Sequence, residues 1–225
     1  MSLFFNGIKL AKNTDTVSGG VNLLVNTDRM THFNNLGNKG DSTGYSIDDK
    51  ASYTEDLNAK EIKTNVFHAF GSTLTKAPVA LAQDVYLPAG TWTLSFLGRN
   101  NGNKSSNDTL KTNTVSLFSD WSDSHDNAPL GTSDLMDNVW KLHKITFTTS
   151  EGMLHKNIRI VNNTNNGIAG GSLYFANFKL EAGSQATTYC PSYQDILAEI
   201  KAIKTTMGGV IANTIRHLFS YTEVA

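Results

Sequence analysis

The chain has 225 residues, with 19 Lys and Arg against 20 Asp and Glu, a net charge of −1 and only 17% charged residues. Nucleic acid and anionic membranes need clustered Lys and Arg, which this balance does not supply, so neither partner is expected. Cys190 is the sole cysteine, which excludes an internal disulfide and a Cys-based zinc site, and no run of about 18 apolar residues is present to span a bilayer.

Residues 1–20 join a small apolar set (Leu3, Phe4, Phe5, Ile8, Leu10) to a polar stretch ending in Ser18-Gly19-Gly20, which reads as a first edge strand or a docking arm. The first seven residues lack the basic start and long apolar core of a signal peptide, so synthesis in a cytoplasm without classical export is expected. Residues 21–26 read as a strand, and the Gly/Asn/Asp-rich stretch 34–44 as a loop. Strand candidates follow at 43–47, 62–71, 79–87 and 91–98. The last two flank Pro88-Ala89-Gly90, and Trp92, Leu94 and Phe96 alternate with Thr91, Thr93 and Ser95. That period of two beside a Pro/Gly break predicts a hairpin whose second strand buries one face, with Pro88 in the turn because it has no N–H for a ladder.

A polar loop spans 100–108, a strand 112–118, and a second loop 120–130 carries Trp121. Strands are expected at 139–149, 156–162 and 172–181. Some eight to ten short strands with turn signals between them, and no helical period, predict an all-β, antiparallel sandwich of the jelly-roll kind over residues 21–190.

The chain changes character after Ala182-Gly183-Ser184. In residues 191–225, Ile196, Ile200, Ile203, Met207 and Val210 recur at alternating four- and three-residue steps, a helix with the seam of a short coiled coil. Asp195 and Glu199 lie early and Arg216 and His217 late, as the helix dipole favours. Gly208-Gly209 is expected to weaken or break this helix, and beyond it the apolar set shifts to Ile211, Ile215 and Leu218. Oligomerisation through the seam is one reading; a helix lying on the sandwich's own surface is the other.

Three stretches carry a resemblance. Asn22-Leu23-Leu24-Val25-Asn26, the Leu-Pro-Ala-Gly-Thr-Trp-Thr-Leu-Ser-Phe hairpin, and the strand from Val139-Trp140-Lys141 to Thr146-Phe147-Thr148 resemble the jelly-roll carbohydrate-binding modules found beside xylanase and cellulase domains. Residues 173–192, with Lys179-Leu180-Glu181, Gly183-Ser184, Ala186-Thr187 and Pro191, look like the closing strand and tail of such modules in bacteriophage tail and baseplate proteins. The resemblance implies a non-enzymatic virion protein for host adhesion, made in the bacterial host cytoplasm. Its implied partners are a host cell-wall or capsular polysaccharide, other virion subunits and further copies of itself, a trimer being favoured. The alternative is a structural adaptor of the phage particle without sugar binding. Modules of this kind often hold a structural calcium, and Asn177 stands where an acidic ligand is usual, so no cofactor is expected.

Saccharide recognition needs a flat aromatic face with fixed polar groups around it. Trp92 belongs to the core by its alternation, and Trp140 to core or rim. Trp121 sits among Asp120, Ser122, Asp123, Ser124, His125 and Asp126, so Trp121 with Asp123 and His125 is the first ligand-binding candidate. Tyr45, between Gly44 and Ser46, is a second platform, and Arg99 and Asn100 leave the central strand where they could reach hydroxyls. Asp120, Asp123 and Asp126 offer oxygen ligands without the spacing of a known calcium loop. The six histidines lack metal-ligand spacing. No opposed carboxyl pair, nucleophile elbow, phosphate loop or dinucleotide fingerprint can be nominated, so no catalytic residue is expected.

Overall fold

The computed structural model describes residues 3–5, 8–10, 20–30, 43–53, 59–71, 78–101, 113–119, 128–163 and 172–220. Two short strands, β1 (Leu3–Phe5) and β2 (Ile8–Leu10), pair antiparallel as a separate ribbon. The sandwich is built from β3 (Thr43–Asp48), β4 (Val66–Gly71), β5 (Pro78–Leu87), β6 (Gly90–Asn101), β7 (Val115–Phe118), β8 (Gly131–Thr132), β9 (Lys141–Thr149), β10 (Met153–Asn162) and β11 (Ser172–Ala182), followed by helix α1 (Tyr193–Ser220). One sheet has the order β3-β4-β11-β6-β9 and the other β5-β10-β7-β8, and every pairing is antiparallel. The chain is thus an all-β, antiparallel sandwich of two sheets with a C-terminal helix.

Alternation explains which face each strand buries. Along β9, His143, Ile145 and Phe147 are buried while Leu142, Lys144 and Thr146 are exposed. Trp92, Leu94 and Phe96 of β6 enter the main core with Phe67, Phe175, Phe178 and Leu180 from the same sheet and Leu81, Leu117, Ile158 and Ile160 from the other. Each fully buried Leu, Ile or Phe contributes about 1.5–3 kcal/mol, so this layer dominates the stability. The Trp92 indole N–H donates to the Pro88 carbonyl at 3.0 Å, and Thr149 donates to the same oxygen at 2.7 Å, which ties down the hairpin turn.

Strand β11 lies between β4 and β6 and is buried on both faces, so its polar residues Asn177, Lys179 and Glu181 are buried with its apolar ones. A bulge between Ala176 and Lys179, with Asn177 at φ 55°, puts Phe175 and Phe178 on the same core face although they are an odd three positions apart. Asn177 is held by donation from the Lys63 backbone N–H to its Oδ1 (2.8 Å) and from its Nδ2 to the Glu61 carbonyl (2.6 Å). An aspartate could not make the second bond.

Two expectations need correction. Residues 21–26 form no strand: Asn22 makes an isolated parallel bridge with Ser192, and bends and turns follow, with Asn26 and Met30 at positive φ. The Leu23 N–H donates to the Leu180 carbonyl (2.9 Å), and side chains supply much of the remaining bonding. Asn22 Nδ2 donates to the carbonyls of Phe178 (3.0 Å) and Cys190 (3.1 Å), and its Oδ1 accepts from the N–H groups of Leu24 and Leu180. Gln83 pairs with both backbone groups of Val25 as a strand would. The second correction is that α1 runs unbroken through Gly208 and Gly209. Glycine costs a helix about 1 kcal/mol relative to alanine but keeps its N–H, so the hydrogen-bond ladder survives.

Candidate binding face

The face of the five-stranded sheet turned away from the core carries the groups best suited to a ligand. Register fixes its first row: Ser46 pairs with His68, His68 with Tyr174, and Tyr174 with Arg99, so four strands present these side chains side by side. His68 stacks on Tyr174 (centroids 4.3 Å apart, 21° between planes), and Phe70, 40% exposed, lies 5.1 Å beyond it. The Arg99 guanidinium sits 4.7 Å from the Tyr174 ring centre, 5.5 Å from Trp140 and 5.7 Å from Tyr53, a cation held by three aromatic rings.

Asp48 joins this row from β3, two residues after Ser46. It accepts from Ser46 Oγ (2.6 Å) and from the Tyr53 hydroxyl (2.5 Å), and its Oδ2 is 3.3 Å from His68 Nδ1. Partial burial alone would raise the Asp48 carboxyl, but the bonds from Ser46 and Tyr53 and the nearby His68 outweigh it and hold the carboxyl below the usual range. Tyr53 is pushed well above an ordinary phenol by burial and by donating to Asp48. His68 is lowered: burial and the Arg99 charge oppose its protonation more strongly than Asp48 favours it.

Beside this row a groove of about 520 Å³ opens over the same sheet face. Leu97, Trp140 and Leu142 supply apolar lining, with Glu61, Lys63, Ser95, Lys141 and Asn177 around them. Trp140 packs with Tyr53, Ile62, Val66, Leu97, Tyr174 and Ala176 in a second apolar cluster on this face, while Leu142 is 58% exposed. Lys141 is paired with Asp137. The remaining wall is the segment Ala186–Tyr189, which crosses the sheet face after β11.

A buried ion pair fastens that wall. Lys179 and Glu181, each 1% exposed, lie with Nζ and Oε2 3.2 Å apart. Lys179 also donates to Thr187 Oγ1 (2.5 Å) and the Thr188 carbonyl (2.9 Å), and Glu181 accepts from the Thr187 N–H (2.8 Å) and hydroxyl (2.6 Å). Tyr189 meets Thr27 through its hydroxyl at 3.1 Å, and burial pushes that phenol up to about 12.

The residues nominated from sequence do not form one constellation. Arg99 is on the outer face, caged by aromatic rings. Asn100 is a correction: its side chain is fully buried, with Nδ2 donating to Asn113 Oδ1 (2.8 Å) and to the Met136 carbonyl (3.2 Å), so it faces the interior because it shares the parity of Trp92 and Phe96. Tyr45 is 42% exposed on edge strand β3, but it pairs with Ala69 and stacks on Phe67, which places it on the opposite side of the sheet from Arg99. Trp121, Asp123 and His125, with Asp120 and Asp126, lie outside the described residues. Among the described residues no group of three or more His, Cys, Asp and Glu is arranged to hold a metal ion. No helix among them is long and apolar enough to cross a membrane.

Sequence reasoning missed Asp48, Tyr53, His68, Tyr174 and Leu142. The signal for His68 was there: Val66, His68 and Phe70 share one parity, opposite to Phe67 and Ala69. Tyr53 carried no such signal, because a 3-10 turn (Lys50–Tyr53) brings it over the sheet.

No protein-family model and no curated protein sequence matches the chain. Solved structures are similar at low identity. The CBM22-1–GH10 modules of Clostridium thermocellum xylanase 10B, in complex with xylohexaose, are 11% identical at a TM-score of 0.45, over 76% of this chain and 30% of that one. TmCBM61 in complex with β-1,4-galactotriose is 15% identical at a TM-score of 0.41, over 72% and 98%. The BppUct-A-L tripod from the baseplate of bacteriophage Tuc2009 is 17% identical at a TM-score of 0.40, over 81% and 63%. These are likenesses of fold alone.

Proposed function

We propose that this chain is a non-catalytic saccharide-binding protein of a bacteriophage tail or baseplate, and that it takes a host cell-wall or capsular polysaccharide along the outer face of the five-stranded sheet. One observation carries the reading: the groove joins an apolar floor, with Leu142 exposed, to a rim of amide, hydroxyl and charged groups. Sugar rings offer apolar C–H faces edged by hydroxyls, and such a floor and rim match both. The aromatic row from Phe70 to Trp140 extends the same face. The phage assignment draws its support from the resemblance of residues 173–192 to tail and baseplate modules. We further propose that Trp121, with Asp123 and His125, contributes to sugar binding, as its polar sequence neighbourhood suggests; Tyr45, on the opposite face, is given no part in this groove.

An array of bacterial cell-wall and capsular glycans, displayed multivalently, tests this. Wild type binds a subset, Leu142→Arg abolishes that binding while the unfolding temperature stays unchanged, and Trp121→Ala weakens it. A blank array under multivalent display would turn the assignment to the second reading, a structural adaptor of the particle. The exposed apolar stripe on α1 favours that reading independently of any ligand.

A further inference from the structure

We infer that α1 is the interaction surface for further copies of this chain, which associate as a parallel, in-register bundle of three helices. The inference does not depend on saccharide binding. Ile196, Ile200, Ile203, Met207 and Val210 are all exposed, so the sandwich does not cover the stripe their spacing creates. Their four-three-four-three steps put Ile200 and Met207 at the first position of a heptad and Ile196, Ile203 and Val210 at the fourth. Isoleucine at both seam positions favours three or four strands over two.

The flanking positions identify the occupant. Leu197 and Ile211 lie immediately after fourth-position residues and are also exposed, which widens the stripe beyond the narrow seam a two-stranded coil needs. Lys204 occupies the same flank one heptad after Leu197, and Glu199 occupies the opposite flank, just before Ile200. In a parallel, in-register bundle Glu199 of one helix faces Lys204 of the next, giving opposite charges across each interface. Gly208 and Gly209 fall at outward positions, where a Cβ built on either meets nothing within 4 Å, so they leave the seam intact.

The start of the helix is fixed relative to the sandwich. Ser192 caps it: Asp195 N–H donates to Ser192 Oγ (3.1 Å), and Ser192 Oγ donates to Asp195 Oδ2 (2.7 Å). Both Asp195 oxygens also accept from the Asn26 N–H, at 2.9 and 2.8 Å, which ties the first turn to the sandwich. Parallel helices therefore display their sandwiches on one side.

Light scattering on the full chain after size exclusion tests the inference, with three times the 24.5 kDa chain mass expected. Ile200→Asp/Ile203→Asp should give one chain mass, with the near-UV circular dichroism of the sandwich retained. Glu199→Lys should lower the association constant at least tenfold, and Glu199→Lys/Lys204→Glu should restore it. A wild-type monomer or dimer overturns the three-helix arrangement, and failure of the charge reversal to restore association overturns the parallel register.

Discussion

Replacing Lys179 by methionine should be among the most damaging single changes in the sandwich. Lys179 and Glu181 are almost wholly shielded from water, and the variant leaves the Glu181 carboxylate with two bonds from Thr187 but no cation. Removing one partner of a buried pair costs about 3–5 kcal/mol, a large share of the roughly 5–15 kcal/mol that holds a domain folded. For a chain of this size that is a fall of roughly 6–20 °C in unfolding temperature. Converting both residues, Lys179→Met/Glu181→Met, removes the stranded charge and should recover most of the loss. The remaining deficit is about 1 kcal/mol, because the Thr187 N–H loses its acceptor. Urea unfolding of the two single variants and the double variant measures the coupling, expected to exceed about 2 kcal/mol. Additive losses, or a Lys179→Met cost below about 1 kcal/mol, would show that the pair does not fasten the groove wall.

Other outcomes follow from the same contacts. Asn22→Ala should destabilise the fold by about 3 kcal/mol or more by stranding buried backbone groups of Leu24, Phe178 and Leu180, read by urea unfolding. Because His68 is lowered below its ordinary value of 6.5, the unfolded chain takes up that proton first as the pH falls. Stability contributed by neutral His68 is therefore complete above about pH 6.5 and declines below it. His68→Gln should flatten the drop in unfolding temperature between pH 7 and pH 5, and an unchanged profile would assign that drop to other groups. Gly208→Ala/Gly209→Ala should add about 1 kcal/mol per site to helix stability and raise the helical ellipticity, since both positions are open.

Strands announced themselves wherever alternation was clean. The parity of Trp92, Leu94 and Phe96 gave the buried face of β6, and the same parity extended to residue 100 would have placed Asn100 inside the core. Residues 21–26 look like a strand by composition, but their backbone groups bond to Asn22, Gln83, Leu180 and Asp195, partners up to 169 residues away that local patterning cannot reveal. The helix was legible from its spacing; its passage through two glycines was not, because propensity ranks costs without saying whether the remaining ladder absorbs them. The candidate face was the least visible part. It combines a strand parity, a 3-10 turn and the segment Ala186–Tyr189, and only the register of five strands brings them together.

The most direct test of the proposed saccharide-binding face is a map of backbone amide shifts in the labelled protein, titrated with an oligosaccharide fragment of the best-bound array glycan. Perturbations should gather on β4, β6, β9 and β11 and on residues 186–189, and vanish in Leu142→Arg. Shifts confined to β5, β7 and β10, or a titration that moves no amide, would contradict the assignment.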